Sequence, residues 1–216
     1  MSFSPDITPV LTLIALLIAY LLGSIPFGLL LAKIFGGADV RKAGSGNIGA
    51  TNVARVAGPL PGILTLALDA GKGWLAVWLA GRVAHGEAEA LVVAGFFALL
   101  GHCFPVWLRF RGGKGVATAA GIFGALCPAA LLAALLLFVL VVWYWRFVSL
   151  GSLAAAAAIP LFVYLLWAPH YAPPNIVTIG SMAIALLVIY QHRENIARLA
   201  RGEEPQFSFG KKRGEA

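Results

Sequence analysis

Two short segments carry residues that could hold a phosphate. One reads Gly44-Ser45-Gly46-Asn47-Ile48-Gly49-Ala50-Thr51-Asn52, with Arg55 just beyond, and the other reads Arg109-Phe110-Arg111-Gly112-Gly113-Lys114-Gly115. Glycine lets the main chain approach an anion closely, and lysine or arginine supplies the opposing charge. Asparagine, serine and threonine bind phosphate or polyol oxygens without adding charge. Each segment also has a plainer reading. The first can be a turn and helix cap through Ser45, Asn47 or Thr51. The second can be a helix break with membrane-anchoring cations, although glycines on both sides of Lys114 favour close approach to an anion. It is not a Walker A loop, because Gly115 stands where Ser or Thr is required and the upstream glycine is missing.

Further polar groups lie in unexpected places. Asp69 and Lys72 sit three residues apart on one face of an apolar stretch, either as an ion pair that steadies a bundle or with Lys72 turned to an anion site. Arg146 and Ser149 share a brief turn. His192 and Asn195 fall on one face if the segment after Gln191 is helical, and His192 could act as a base or a hydrogen-bond donor. His102 reads as a packed or interfacial residue, and His85 and His170 as loop residues. No His, Cys, Asp or Glu cluster has metal-ligand spacing. Cys103 and Cys127 read as small buried residues. Neither a metal nor a cofactor is expected.

The elements that position these groups are membrane spans. Of 216 residues, 60% are apolar and only 12% charged, where a soluble domain is nearer half and a quarter. Apolar runs of about 20 residues cross a bilayer as helices. The spans expected are Thr8–Leu31, bent near Pro26, Pro61–Val83, Ala88–Leu108, two between Val116 and Trp145 divided at Pro128, one ending near Trp167, and Ile176–Tyr190. That is an all-α bundle of seven transmembrane helices in a single domain, 1–216, with 203–216 as a flexible tail. The net charge of +7 is placed almost wholly on one side of these spans, which excludes nucleic-acid binding as its main meaning. Lys33, Arg55, Arg109, Lys114, Arg146 and Arg198 fall together, opposite Asp6, Glu87 and Glu89. By the positive-inside rule the N-terminus is outside, the C-terminus is cytoplasmic, and both glycine-rich loops share the cytoplasmic face.

In order and spacing the segments Gly23–Gly28, Gly44–Asn52, Asp69–Gly73, Gly101–Thr118, Ser149–Ser152 and His192–Arg198 resemble the bacterial membrane glycerol-3-phosphate acyltransferases that use acyl phosphate. The resemblance covers nearly the whole chain. It implies transfer of a fatty acyl group from acyl phosphate to the 1-hydroxyl of sn-glycerol 3-phosphate, giving lysophosphatidate and phosphate in the bacterial inner membrane. Both substrates and membrane lipids are the implied partners, and the protein is expected to be a monomer. By this similarity the catalytic group is Ser45, Lys114, His192 and Asn195. Substrate phosphates are expected on Gly46, Asn47, Gly49, Thr51, Asn52, Arg55, Gly112, Gly113, Lys114, Gly115, Ser149, His192 and Asn195. The general base is left between His192 and a substrate phosphate oxygen. The chain lacks a histidine and aspartate four residues apart, the box of acyl-CoA-dependent glycerol-phosphate acyltransferases. A transporter would show two related halves and polar groups at the midplane. An alcohol phosphatidyltransferase would show an aspartate-rich metal site, where the cytoplasmic loops here have only Asp39. A non-enzymatic lipid-binding protein would use the same basic loops only to grip headgroups.

Overall fold

The structure is a computed structural model that describes residues 8–37, 39–84, 86–167 and 173–206. His85, His170, Asp6 and the tail from 207 onward lie outside the described residues. The described residues form ten α-helices and two 3₁₀ turns, with no strand among them. The helices are α1 (Thr8–Gly23), α2 (Phe27–Gly36), α3 (Ala50–Ala57), α4 (Pro59–Val83), α5 (Ala88–Cys103), α6 (Val116–Leu126), α7 (Pro128–Trp145), α8 (Val148–Leu166), α9 (Asn175–Gln191) and α10 (Arg193–Ala200). Five stretches are long and apolar enough to cross a membrane, or six if α9 and α10 count as one bent span. The eleven residues of α6 rise about 16 Å, roughly half the hydrocarbon thickness. The all-helical, multi-pass reading therefore holds.

Three features of the spans have local causes. The first span is interrupted at Pro26, as expected: α1 stops at Gly23 and α2 starts at Phe27, while Leu13–Gly36 stays one stretch long and apolar enough to cross a membrane. Pro26 lacks an N–H and disfavours helical geometry in the residue before it. At this break the Ile25 carbonyl accepts from the Phe27 N–H at 3.1 Å and from Lys72 Nζ at 3.0 Å. Between the first two spans the polar segment forms a separate amphipathic helix, α3. The last span bends by 57° at His192 and continues as α10.

Glycine lets the helices approach. A side chain at Gly23 would meet the Ala98 carbonyl and one at Gly101 the Tyr20 carbonyl, so α1 and α5 touch backbone to backbone. Gly73 and Gly121 play the same reciprocal part for α4 and α6, against Thr118 and Ala70. In lipid, where apolar surface gains little by leaving the solvent, such close contact is a main source of helix association. The outer faces are apolar, and Trp107, Trp143, Tyr144 and Trp145 are exposed at helix ends, where indole and phenol rings suit the lipid–water boundary.

These contacts align helix ends. The Tyr20 hydroxyl at the end of α1 donates to the Phe104 carbonyl at the end of α5 at 2.7 Å. The starts of α3, α6, α8 and α10 and the end of α9 gather at the same end of the bundle. Gly121→Ala should lower the thermal midpoint in detergent by the equivalent of about 1–3 kcal/mol. Gly71→Ala, whose added methyl meets nothing within 4 Å, should leave it unchanged or raised.

Candidate functional site

A cavity of about 490 Å³ opens at this end of the bundle, within the range of small-molecule sites. It brings together Ser45, Asn47, Gly49, Thr51, Asn52, Arg55, Lys114, Gly115, Ser149, His192 and Asn195, drawn from four separated segments. Three of the expected residues do not line it: Gly46, Gly112 and Gly113. The N–H groups of Gly112 and Gly113 donate instead to the Cys103 and His102 carbonyls at 3.0 and 3.1 Å, strapping the loop to the last turn of α5. What this loop presents to the cavity is Lys114 and Gly115. Gly46 has φ +71° and serves the turn itself.

The first loop is organised by Asn52. Its Nδ2 points its donors at the carbonyls of Val40, Ala43 and Asn47, at 2.8 to 3.1 Å, and its Oδ1 accepts from the Ser45 N–H at 2.8 Å. Both N–H donors of that amide are taken within the loop and its oxygen holds the Ser45 N–H, so Asn52 shapes the loop. Asn47 Oδ1 accepts from the Gly49 N–H at 2.8 Å in an Asx-type turn that starts α3. The N–H groups of Ala50 and Thr51 then stand in the first helical turn, where no intrahelical acceptor exists.

The same arrangement recurs at α6 and α8. Gly115, with φ +81°, caps α6, and Gly115, Val116 and Ala117 line the cavity. Val148 and Ser149 open α8 on the same wall. Three helix N-termini therefore converge, each carrying unpaired N–H groups and the positive end of a helix dipole. Lys114, Arg55 and Arg198 add formal positive charge.

On the opposite wall, Lys114 Nζ donates to Asn195 Oδ1. Asn195 Nδ2 donates to Glu204 Oε1 at 2.6 Å, and Arg198 Nε donates to Glu204 Oε2 at 2.7 Å. Ser149 Oγ faces the same carboxylate without reaching hydrogen-bond geometry. Burial pushes the Glu204 carboxyl upward, but the hydrogen bonds from Asn195 and Arg198 and the Arg198 charge bring it below the usual range, so it is ionised. Burial and the nearby Arg198 hold Lys114 below the ordinary lysine value. His192 Nδ1 lies 2.7 Å from the Val188 carbonyl. A carbonyl only accepts, so Nδ1 carries the proton and Nε2 keeps a free lone pair. Burial depresses the imidazole to about 4, against an ordinary 6.5.

Sequence reasoning missed two members. Arg198 follows Asn195 by three residues, a helical spacing that already placed it on the cavity face. Glu204 had no such signal. It reaches the site because Gly202, at φ +71°, ends α10 in a Schellman turn: the Glu203 N–H bonds the Arg198 carbonyl at 2.8 Å and the Gly202 N–H bonds the Leu199 carbonyl at 3.1 Å. Glu204 and Pro205 thus line the cavity. Asp69 and His102 also line the cavity. Lys72 does not; it pairs with Asp69 at 2.8 Å, which decides between the two readings of those charges. Among the described residues no group of three or more His, Cys, Asp or Glu is placed to hold a metal.

The fold and cavity define a multi-pass membrane protein with a cleft lined by Arg55, Lys114 and Arg198 at one end of its bundle. The family model for glycerol-3-phosphate acyltransferase matches residues 13–202, and the chain belongs to that family of enzymes. Glycerol-3-phosphate acyltransferases of Syntrophotalea carbinolica and Trichlorobacter lovleyi are 51% and 52% identical to it, over 90% and 88% of this chain and 96% and 94% of theirs. It is also similar to two crystal structures of PlsY (YgiH), an integral membrane glycerol 3-phosphate acyltransferase, in its glycerol 3-phosphate and lysophosphatidic acid forms. Both are 40% identical, with TM-scores of 0.84 and 0.83, covering 91% of this chain and 96% and 95% of theirs.

With Nδ1 tied to a carbonyl and the ring buried, His192 should stay neutral on titration from neutral pH to about pH 5. Imidazole nitrogen shifts of labelled protein in micelles check this. A midpoint near the ordinary 6.5 would contradict the buried, singly donating geometry.

Proposed function

We propose that this cavity transfers a fatty acyl group from acyl phosphate to the 1-hydroxyl of sn-glycerol 3-phosphate, releasing lysophosphatidate and inorganic phosphate. The observation that carries the reading is the convergence of three helix N-termini with Arg55, Lys114 and Arg198 in one cavity. Two phosphate-bearing substrates repel, and only concentrated positive charge holds them side by side. A second, apolar cavity of about 70 Å³ runs between α6, α7, α8 and α9. Val116, Phe138 and Ser152 line both cavities, so an acyl chain in the second leads its carbonyl into the first.

In this reading the glycerol oxygen attacks the acyl carbon, and the bond to the phosphate oxygen breaks as phosphate leaves. The leaving group is already activated, so positioning and stabilisation of the oxyanion do most of the work. Ser45, Lys114 and Asn195 border the reacting groups. His192 Nε2 accepts the hydroxyl proton, directly or with a phosphate oxygen as relay. Two phosphates near the ring favour its charged form and bring a weak base toward the working pH. Asn47, Thr51, Arg55 and Ser149, with the first-turn N–H groups of α3 and α6, hold the phosphates.

The whole chain acts as one domain and as a monomer in the bacterial inner membrane, its site on the cytoplasmic face. Helix directions support seven segments with the N-terminus outside. α1, α5, α7 and α9 run toward the site end, and α4, α6 and α8 run away from it. The short α6 and the longer α7 go out and back, so the parity is the same however deep the pair reaches. Cysteine labelling in intact cells should mark Glu87→Cys from outside and Glu203→Cys only after permeabilisation; the reverse pattern contradicts this orientation.

Purified protein given glycerol 3-phosphate and palmitoyl phosphate should yield lysophosphatidate and phosphate in equal amounts. Activity with acyl-CoA or acyl-carrier-protein donors alone would overturn the donor assignment. Lys114→Ala should lower kcat/KM by at least about a hundredfold in folded protein, the scale of a lost preorganised donor. Wild-type activity in that variant would remove Lys114 from the site.

A further inference from the structure

The acyl-transfer reading leaves one cluster without a task. Asp69, Lys72 and His102 are all buried in the apolar spans, and charged groups there are costly enough that each needs a partner or a use. Lys72 has both its contacts supplied, Asp69 Oδ1 at 2.8 Å and the Ile25 carbonyl at 3.0 Å. Asp69 Oδ1 is shared between that ammonium and the His102 ring: it lies 3.7 Å from His102 Nδ1, an ionic distance, and His102 Nδ1 has no hydrogen bond although it is shut off from solvent. Both residues line the cavity.

The other edge of the His102 ring faces the second glycine-rich loop. A methyl group placed on Gly113 would collide with His102 Nε2, with Cε1 and Cδ2 also within contact, so the ring lies flush against the Gly113 Cα. The Gly113 N–H is bonded to the carbonyl of the same histidine. His102 therefore fixes the loop twice, through its main chain and through its ring, one residue before Lys114 leaves for the cavity. The ring is in turn backed by Asp69, whose charge is balanced by Lys72, which is anchored at the break between α1 and α2.

We propose that His102, braced by Asp69, is a positioning residue: it sets the Gly113–Lys114 turn and thereby the place where the Lys114 ammonium meets substrate phosphate. It touches no reacting atom. A shift of the turn by a fraction of an ångström would move Lys114 relative to the three helix N-termini, and phosphate binding would weaken before the chemistry changed. This inference rests on the acyl-transfer reading of the cavity.

The test uses the full chain in detergent, comparing wild type with His102→Ala and His102→Gln. Two readouts are taken: steady-state kinetics for both substrates and the rise in thermal midpoint produced by inorganic phosphate. His102→Ala should raise KM for at least one phosphate substrate about tenfold or more, with kcat within about threefold. The stabilisation by phosphate should shrink in the same variant, because binding to the folded state is what produces it. His102→Gln, which keeps a planar polar group against Gly113, should lie between Ala and wild type. A lower thermal midpoint with unchanged KM values and unchanged phosphate stabilisation would make the cluster purely structural and overturn the proposal. A fall in kcat at constant KM would also overturn it, by making His102 a reacting group. If wild type forms no lysophosphatidate, the acyl-transfer reading fails, and the phosphate-induced shift still decides the role of His102.

Discussion

In the proposed function, everything in this structure depends on holding two phosphates at the edge of a medium that repels charge. Three devices supply the attraction. Helix N-termini offer N–H groups that no intrahelical carbonyl can take. Arg55, Lys114 and Arg198 bring formal charge to the same cavity. The ionised Glu204 then keeps Arg198 and Asn195 in place while the cavity is formed. Low polarity around the site strengthens each of these interactions over its value in water.

The same constraint explains the irregular parts of the bundle. A span that ran straight through would carry its helix N-terminus past the cavity and into bulk solvent. Here the bend at His192 starts α10 at the wall of the cavity, and Gly115 and Arg146, both left-handed at φ +81° and +62°, turn the chain so that α6 and α8 begin there as well. At the break by Pro26 the Ile25 carbonyl receives Lys72, and that lysine neutralises Asp69 beneath the loop that carries Lys114. Reciprocal glycines at the α1–α5 and α4–α6 contacts bring the backbones close enough for these ends to meet.

Much of this was legible in the amino-acid order. Apolar runs located α4, α5, α7, α8 and α9 within a few residues, because a bilayer demands a nearly fixed length. Charge placement grouped the two glycine-rich loops, and eleven of the residues named from them and from the later turns line one cavity. What escaped was set by geometry instead of composition. Gly112 and Gly113 look like a phosphate cradle, but their N–H groups close onto α5. Asn52 looks like a ligand, yet its amide holds the loop together. Glu204 is a carboxylate in an anion site, and only the turn at Gly202 places it there.

A crystal or cryo-electron structure of this chain with glycerol 3-phosphate tests the account most directly. The phosphate is predicted within hydrogen-bond reach of Lys114 or Arg55 and of the first-turn N–H groups of α3 or α6. Density for the phosphate on Arg109, Arg111 or other cations outside the cavity, with the helix N-termini left empty, would contradict it.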